Sequence, residues 1–229
     1  MTIARIAVAL LAGSFVLYRA GAEEPSSSLD ELVAAIRKND GRVTYRAQGL
    51  EQKICRVQFG CHSEAADELF ARVALLPDLE ELSTISCGLT DKGLSHLQKL
   101  AKLTQLGINS DAITDQGIAE VVKLKQLRIL RLMRCKLTDR SLALLRELPE
   151  LESLSLTRIR FSPDALASLK NFPKLKRLYL GQVPYQDADL RALHTLTGLT
   201  ELSIGGAKAS SEAIAELRKA LPGVQIAIQ

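Results

Sequence analysis

The chain has 229 residues, 47% hydrophobic and 24% charged, with 4% aromatic residues and no Trp, a composition that excludes a disordered chain and allows a sizeable aliphatic core. Its formal charge is +4. Removing residues 1 to 22 takes away Arg5 and Arg19 and no acid, which leaves +2, too little to argue nucleic-acid binding from net charge.

Those first 22 residues read as a secretion signal peptide. Met1 and Arg5 give a positive start, Ile6 to Tyr18 an apolar run, and Ala20-Gly21-Ala22 a small-residue cleavage site. The run is shorter than the roughly 20 apolar residues that a span needs, so no membrane span is expected after cleavage. Retention as an anchor is the alternative. Export makes the expected location secreted, periplasmic or cell envelope. Residues 23 to 28, from Glu23-Glu24-Pro25 to Ser28, form a polar, turn-prone linker.

Residues 29 to 53 are expected to form an N-terminal cap made of a helix and a strand. Leu29, Leu32, Val33 and Ile36 lie on one face of a capped helix from Ser28 to Asn39, and Gly41-Arg42-Val43-Thr44-Tyr45 suggests the strand. From Ile54 to the C-terminus the chain repeats. Ile54, Val57 and Phe59 make an irregular first rung, one residue out of register. Six regular units then begin at Leu79, Leu103, Leu127, Leu151, Leu175 and Leu199, each with a second Leu three residues later. Two positions on stand Thr84, Ile108, Leu132, Leu156, Leu180 and Ile204, with Thr84 the one polar exception. The alternation of this part is that of a half-buried strand. The later columns, Leu94, Ile118, Leu142, Leu166, Leu190 and Ile214, then Leu97, Val121, Leu145, Leu169, Leu193 and Leu217, are spaced by three, as on a helical face.

Each unit is therefore a strand followed by a helix. Thr90-Asp91, Thr114-Asp115 and Thr138-Asp139 stand between the two, with Gln186-Asp187 as a partial copy, where a Thr or Asp side chain can accept from the free N–H groups of the helix start. Ser162-Pro163 combines a capping Ser with a Pro at the first helical position. One acid per rung is thin coordination for calcium, so no metal is expected. A unit of this size cannot bury its leucines alone, and stacking joins them into one core.

The run LxxLxLxxCxLTDxxLxxLxxLxx, at Leu127 to Glu150 and again from Leu79 with Thr84 at the third Leu, resembles the leucine-rich-repeat family. More narrowly, Leu89 to Leu106 look like the bacterial repeats written LTDxGLxxLxxLxxLxxL. The resemblance implies an α/β fold, a right-handed leucine-rich-repeat solenoid with parallel strands on the concave face and helices on the convex face. Ile159, Val183 and Ala207 depart from the usual Asn or Cys position and loosen the turn bonding there. For function the resemblance is nearly silent, because receptors, inhibitors and substrate adaptors share this architecture.

No catalytic motif is present. His62, His96 and His194 fall on different rungs, and no phosphate loop, nucleophile elbow or zinc motif occurs, so neither an enzyme nor a cofactor is expected. Cys55 and Cys61 on one extended strand would stand on the order of 20 Å apart, beyond the about 7 Å that a bridge allows. Cys87 and Cys135 sit two rungs apart. The four read as free or buried thiols, with a Cys61 to Cys87 bridge as the alternative.

If the strand leucines point inward, the residues between them face the open concave side. Arg128, Arg131 and Arg134 come from one unit, Arg158 from the next, Lys176 and Arg177 from the third, with Ile129, Met133, Ser155 and Tyr179 interleaved. Rungs about 4.8 Å apart lie within the Debye length of about 8 Å, so these charges add. Glu80, Glu81, Glu152 and Glu201 partly offset them. The expected role is a non-enzymatic, extracytoplasmic bacterial scaffold whose stripe binds a protein, one with an acidic surface. The alternatives are a carbohydrate-recognising envelope or matrix protein and an intracellular substrate adaptor. Gly223 to Gln229 form a last strand without a helix after it, with Ile226 and Ile228 inward. A monomer with a frayed edge is expected, and an edge-paired dimer is the alternative.

Overall fold

The computed structural model describes residues 8–11, 14–17, 27–48, 51–60, 66–85 and 88–229. The expected cleavage site, most of the linker, Cys61, His62 and Cys87 lie outside them. Two short strands, β1 (Val8–Leu11) and β2 (Ser14–Leu17), pair antiparallel in a sheet of their own. No helix of the described residues is long and apolar enough to cross a membrane.

The rest is a nine-stranded open sheet covered on one side by helices. Helix α1 (Ser27–Lys38) precedes β3 (Arg42–Gln48) and β4 (Glu51–Gly60), which form an antiparallel pair at one edge. After α2 (Ala66–Val73) come β5 (Glu81–Ile85), β6 (Gln105–Asn109), β7 (Ile129–Met133), β8 (Ser153–Thr157), β9 (Arg177–Gly181), β10 (Glu201–Ile204) and β11 (Gln225–Ile228). From β4 onward every neighbour is parallel and follows in chain order. Short helices α3 (Asp91–Leu94), α4 (Asp115–Val121), α5 (Asp139–Leu145), α6 (Pro163–Ala167), α7 (Asp187–Ala192) and α8 (Ser211–Ala220) return the chain between strands. This is the leucine-rich-repeat solenoid that the spacing predicts.

Register explains why the leucine columns recur. Leu106, Leu130, Leu154 and Leu178 are direct cross-strand partners, and all are fully buried. The first rung is offset by one residue, Val57 pairing with Leu82. Thr84 is buried where other units carry an aliphatic side chain, and its hydroxyl accepts from the Asn109 N–H at 3.0 Å. A buried polar group with a partner costs little, so the column tolerates it. The core opens at the far end, where Ile214, Ile226 and Ile228 are only partly buried.

The helix starts carry a second ladder. Thr90, Thr114 and Thr138 each accept from the N–H two residues on, as caps do. The Asp at the helix start, which follows the Thr in these units and Ala66 in the first rung, serves the next unit instead. Asp67 accepts from the Thr90 N–H at 2.9 Å and from its hydroxyl, and Asp91 treats Thr114 in the same way. Asp115 accepts from the Thr138 N–H at 3.0 Å and from the hydroxyls of Thr138 and Ser141. The Thr hydroxyl thus donates to one unit and accepts from its own helix, using both of its capacities. Gly93 and Gly117 make room, since a Cβ there would meet the arriving carboxylate at 2.4 and 2.3 Å. Asp139 reaches the Ser162 N–H at 3.0 Å, and Asp187 the Ser210 N–H at 2.7 Å.

Candidate functional site

Strand parity decides which side chains stand on the open, concave face. In β7 these are Ile129, Arg131 and Met133, in β8 Ser153, Ser155 and Thr157, and in β9 Arg177, Tyr179 and Gly181. Across the strands they form rows, one of Ile129, Ser153 and Arg177 and the next of Arg131, Ser155 and Tyr179. These six residues line a depression of about 380 Å³. Its floor is the middle rung, where two serines stand between longer neighbours and Ser153 is only 6% exposed.

The structure separates the expected stripe into two sets. Arg131, Ser155, Arg177 and Tyr179 meet at the depression, and Met133 stands beside Arg131 on the same strand. Arg128, Arg134, Arg158 and Lys176 lie just outside strands β7, β8 and β9 and are engaged within the fold. Arg128 makes two hydrogen bonds to Glu152, at 3.0 and 2.6 Å. Arg134 Nε donates to Asn109 at 2.8 Å, Arg158 Nε to Gln182 at 2.6 Å, and Lys176 Nζ to the Gly198 carbonyl at 3.1 Å.

Arg134 and Arg158 have a backbone role as well. They share a column with Gln182 and Gly206, and all four have positive φ, 59°, 57°, 56° and 82°. This left-handed residue turns the chain off the sheet and repeats every 24 residues. The N–H groups of Arg134 and Arg158 donate to carbonyls of the following rung, Thr157 and Gly181, which holds the turn in place. The lateral bond persists at Arg158, where Ile159 replaces the usual Asn or Cys, and at Gly206, where Ala207 does.

The acids that offset the stripe are also engaged. Glu80 pairs with Arg46, Glu81 with Arg56 at 2.7 Å, Glu152 with Arg128, and Glu201 accepts from the Tyr179 hydroxyl at 2.9 Å. Among the described residues, the guanidinium groups of Arg131 and Arg177 make no hydrogen bond or ion pair. Burial and the neighbouring Glu201 hold the Tyr179 hydroxyl above its ordinary range, while the charges of Arg177 and Arg131 pull the other way. Both guanidinium fields therefore reach the same phenol.

Charge alone does not single out Ser153; its parity with Ile129 and Arg177 does, because alternate strand positions share a face. No group of three or more potential metal ligands occurs among the described residues. Cys135 is buried and its thiol is pushed up to about 11, away from the reactive thiolate. Cys55 is half-buried and free.

No family model matches the sequence, and no curated protein matches it. The structure is similar to that of internalin C2 from Listeria monocytogenes, with 18% identity, a TM-score of 0.54, and coverage of 90% of this chain and 94% of that one. A protein from Leptospira interrogans is similar over 68% of this chain and 44% of its own, with 19% identity and a TM-score of 0.45. Both are leucine-rich-repeat proteins.

Proposed function

We propose that this chain, a leucine-rich-repeat solenoid by fold, is an exported, non-enzymatic scaffold that binds a protein partner as a monomer through the open face of its sheet. One observation carries the reading. In a fold whose other facing charges are largely engaged across rungs, the guanidinium groups of Arg131 and Arg177 make no hydrogen bond or ion pair among the described residues and flank a depression at mid-sheet. Arg is the cation most suited to protein interfaces, since its planar fork recognises carboxylates in two places at once. The partner is a protein with an acidic surface. Export rests on the signal-like pattern of residues 1 to 22.

A sugar platform has less to support it. In the open-face columns of β5 to β10, Tyr179 is the one aromatic, and its hydroxyl is tied to Glu201.

The test is cross-linking on envelope fractions, which identifies the partner and the face, followed by its retention on variants. Charge reversal of Arg131 and Arg177 together is expected to lower retention by more than about tenfold, from the coupling energies of charged interface pairs. Reversal of Lys125, away from the depression, leaves it unchanged. Unchanged retention on the double variant overturns the assigned face. An unprocessed chain in the cytoplasm overturns export.

A further inference from the structure

We infer that the depression between Arg131 and Arg177 is a subsite for a single side-chain carboxylate of an acidic protein segment. The inference rests on the reading of the open face as a docking surface and adds what that surface recognises.

The geometry comes from the register. Arg131 and Arg177 stand at opposite corners of the two rows, separated by one rung. Two strand spacings make about 10 Å across the sheet, a distance two long side chains can close from both sides. Between them the rung supplies Ser153 and Ser155, the smallest polar side chains, which leave the space open and line it with hydroxyl donors. Ile129 and the Tyr179 ring add apolar walls. Donors arranged around a partly enclosed apolar space suit an oxyanion, and charge-assisted hydrogen bonds from guanidinium to carboxylate are about twice as strong as neutral ones.

The number of free cations limits the ligand. A nucleic acid or long polyanion needs a continuous cationic track, because its affinity accumulates from many neutralised phosphates. Here Arg128 and Arg158 are committed to Glu152 and Gln182, and Lys176 to a carbonyl, so the track is interrupted beside the depression. Glu201 stands one rung beyond Tyr179 and repels further acid on that side. On the other side β6 presents Gln105, Gly107 and Asn109, which are neutral. The surface therefore fits one carboxylate flanked by uncharged residues.

The experiment uses the full chain labelled with nitrogen-15 and follows the side-chain Nε–H resonances of Arg131 and Arg177. The probe is the octapeptide Gly-Ser-Gly-Glu-Gly-Ser-Gly-Ser, compared with its Gln counterpart and with inorganic sulfate. The Glu peptide is expected to shift both resonances together to saturation, while the Gln peptide needs at least about tenfold more. Arg131→Gln and Arg177→Gln each weaken the Glu peptide by about tenfold, and Ser155→Trp, which fills the depression, abolishes the response. Equal binding of the Glu and Gln peptides overturns the inference. So does sulfate binding as tightly as the Glu peptide, which makes the depression a general anion site.

Partner retention separates this failure from failure of the docking reading. If Ser155→Trp removes retention and the two Arg→Gln variants keep it, the face stands and the carboxylate subsite falls. If all three variants keep full retention, both fall.

Discussion

The junctions between units are built in two ways. From Asp67 to Ser141 each unit sends a carboxylate forward to the start of the next helix, into a column held empty by Gly93 and Gly117 or occupied by a hydroxyl donor, Ser141. At Pro163 this supply stops, because the residue in the Asp column has no side-chain acceptor. The following helix start provides its own. Asp189, in the column of Gly93 and Gly117, accepts from the Gln186 N–H at 2.7 Å, and Arg160 of the preceding unit closes over it at 2.9 Å. What each junction keeps is therefore a carboxylate against the free N–H of a helix start, where both hydrogen bonding and the helix dipole favour negative charge. Its source can change.

The largest effect is expected where the altered junction has no substitute. The Asp189 side chain is 1% exposed, so Asp189→Ala strands the Gln186 N–H and leaves Arg160 without its ion pair. Loss of a buried charge partner and an N–H acceptor together predicts a fall in unfolding free energy of about 3 kcal/mol in urea titration. Restoring the regular arrangement sharpens the test. Pro163→Asp combined with Asp189→Gly is expected to recover more than half of that loss. If it recovers none, the two kinds of junction are not equivalent.

The repeat was legible in the sequence because one period carries all the apolar columns, and a column of Leu79 to Leu199 has no other simple reading. Helix caps were legible for the same reason. The forward reach of Asp91 and Asp115 was not, since it joins side chains 23 residues apart and depends on how units stack. A Gly three residues after the capping Thr was its trace in the sequence. At the open face the sequence groups the residues between the strand leucines without separating them; Arg131, Ser155, Arg177 and Tyr179 take alternate strand positions around the depression, whereas Arg128, Arg134, Arg158 and Lys176 stand just outside the strands. The left-handed column was hidden, because three of its four members carry side chains and only Gly206 fits the conformation without strain.

A smaller effect is expected from crowding the regular junction. A Cβ added at Gly117 lies 2.3 Å from Asp91 Oδ1 and 2.9 Å from the Leu94 side chain, so the carboxylate or the helix must shift. Gly117→Ala gains helix propensity of up to about 1 kcal/mol, against overpacking that costs about 1–3 kcal/mol. A net destabilisation of about 1 kcal/mol in urea is expected. Gly117→Ser should cost less, because Ser141 in the same column donates its hydroxyl to the arriving Asp115. A Ser variant less stable than the Ala variant contradicts the hydroxyl's role.

Acid is the mildest probe, since it removes charge without moving atoms. At Asp115 burial pushes the carboxyl up, but hydrogen bonds from Ser141 and Thr138 outweigh it and hold the group below the usual carboxylate range. The N–H and hydroxyl of Ser210 hold Asp187 low as well. For a group whose folded value lies below its unfolded one, the stabilising contribution is complete above the unfolded value and is lost as pH falls through the folded one. The urea midpoint is therefore expected to hold from neutrality to about pH 5 and then to decline toward about pH 3. Asp115→Asn lowers the neutral plateau and flattens part of the decline, because the amide has no charge left to lose. A variant that keeps the full acid slope places the sensitivity elsewhere, and the bridges that join the units then work as neutral hydrogen bonds.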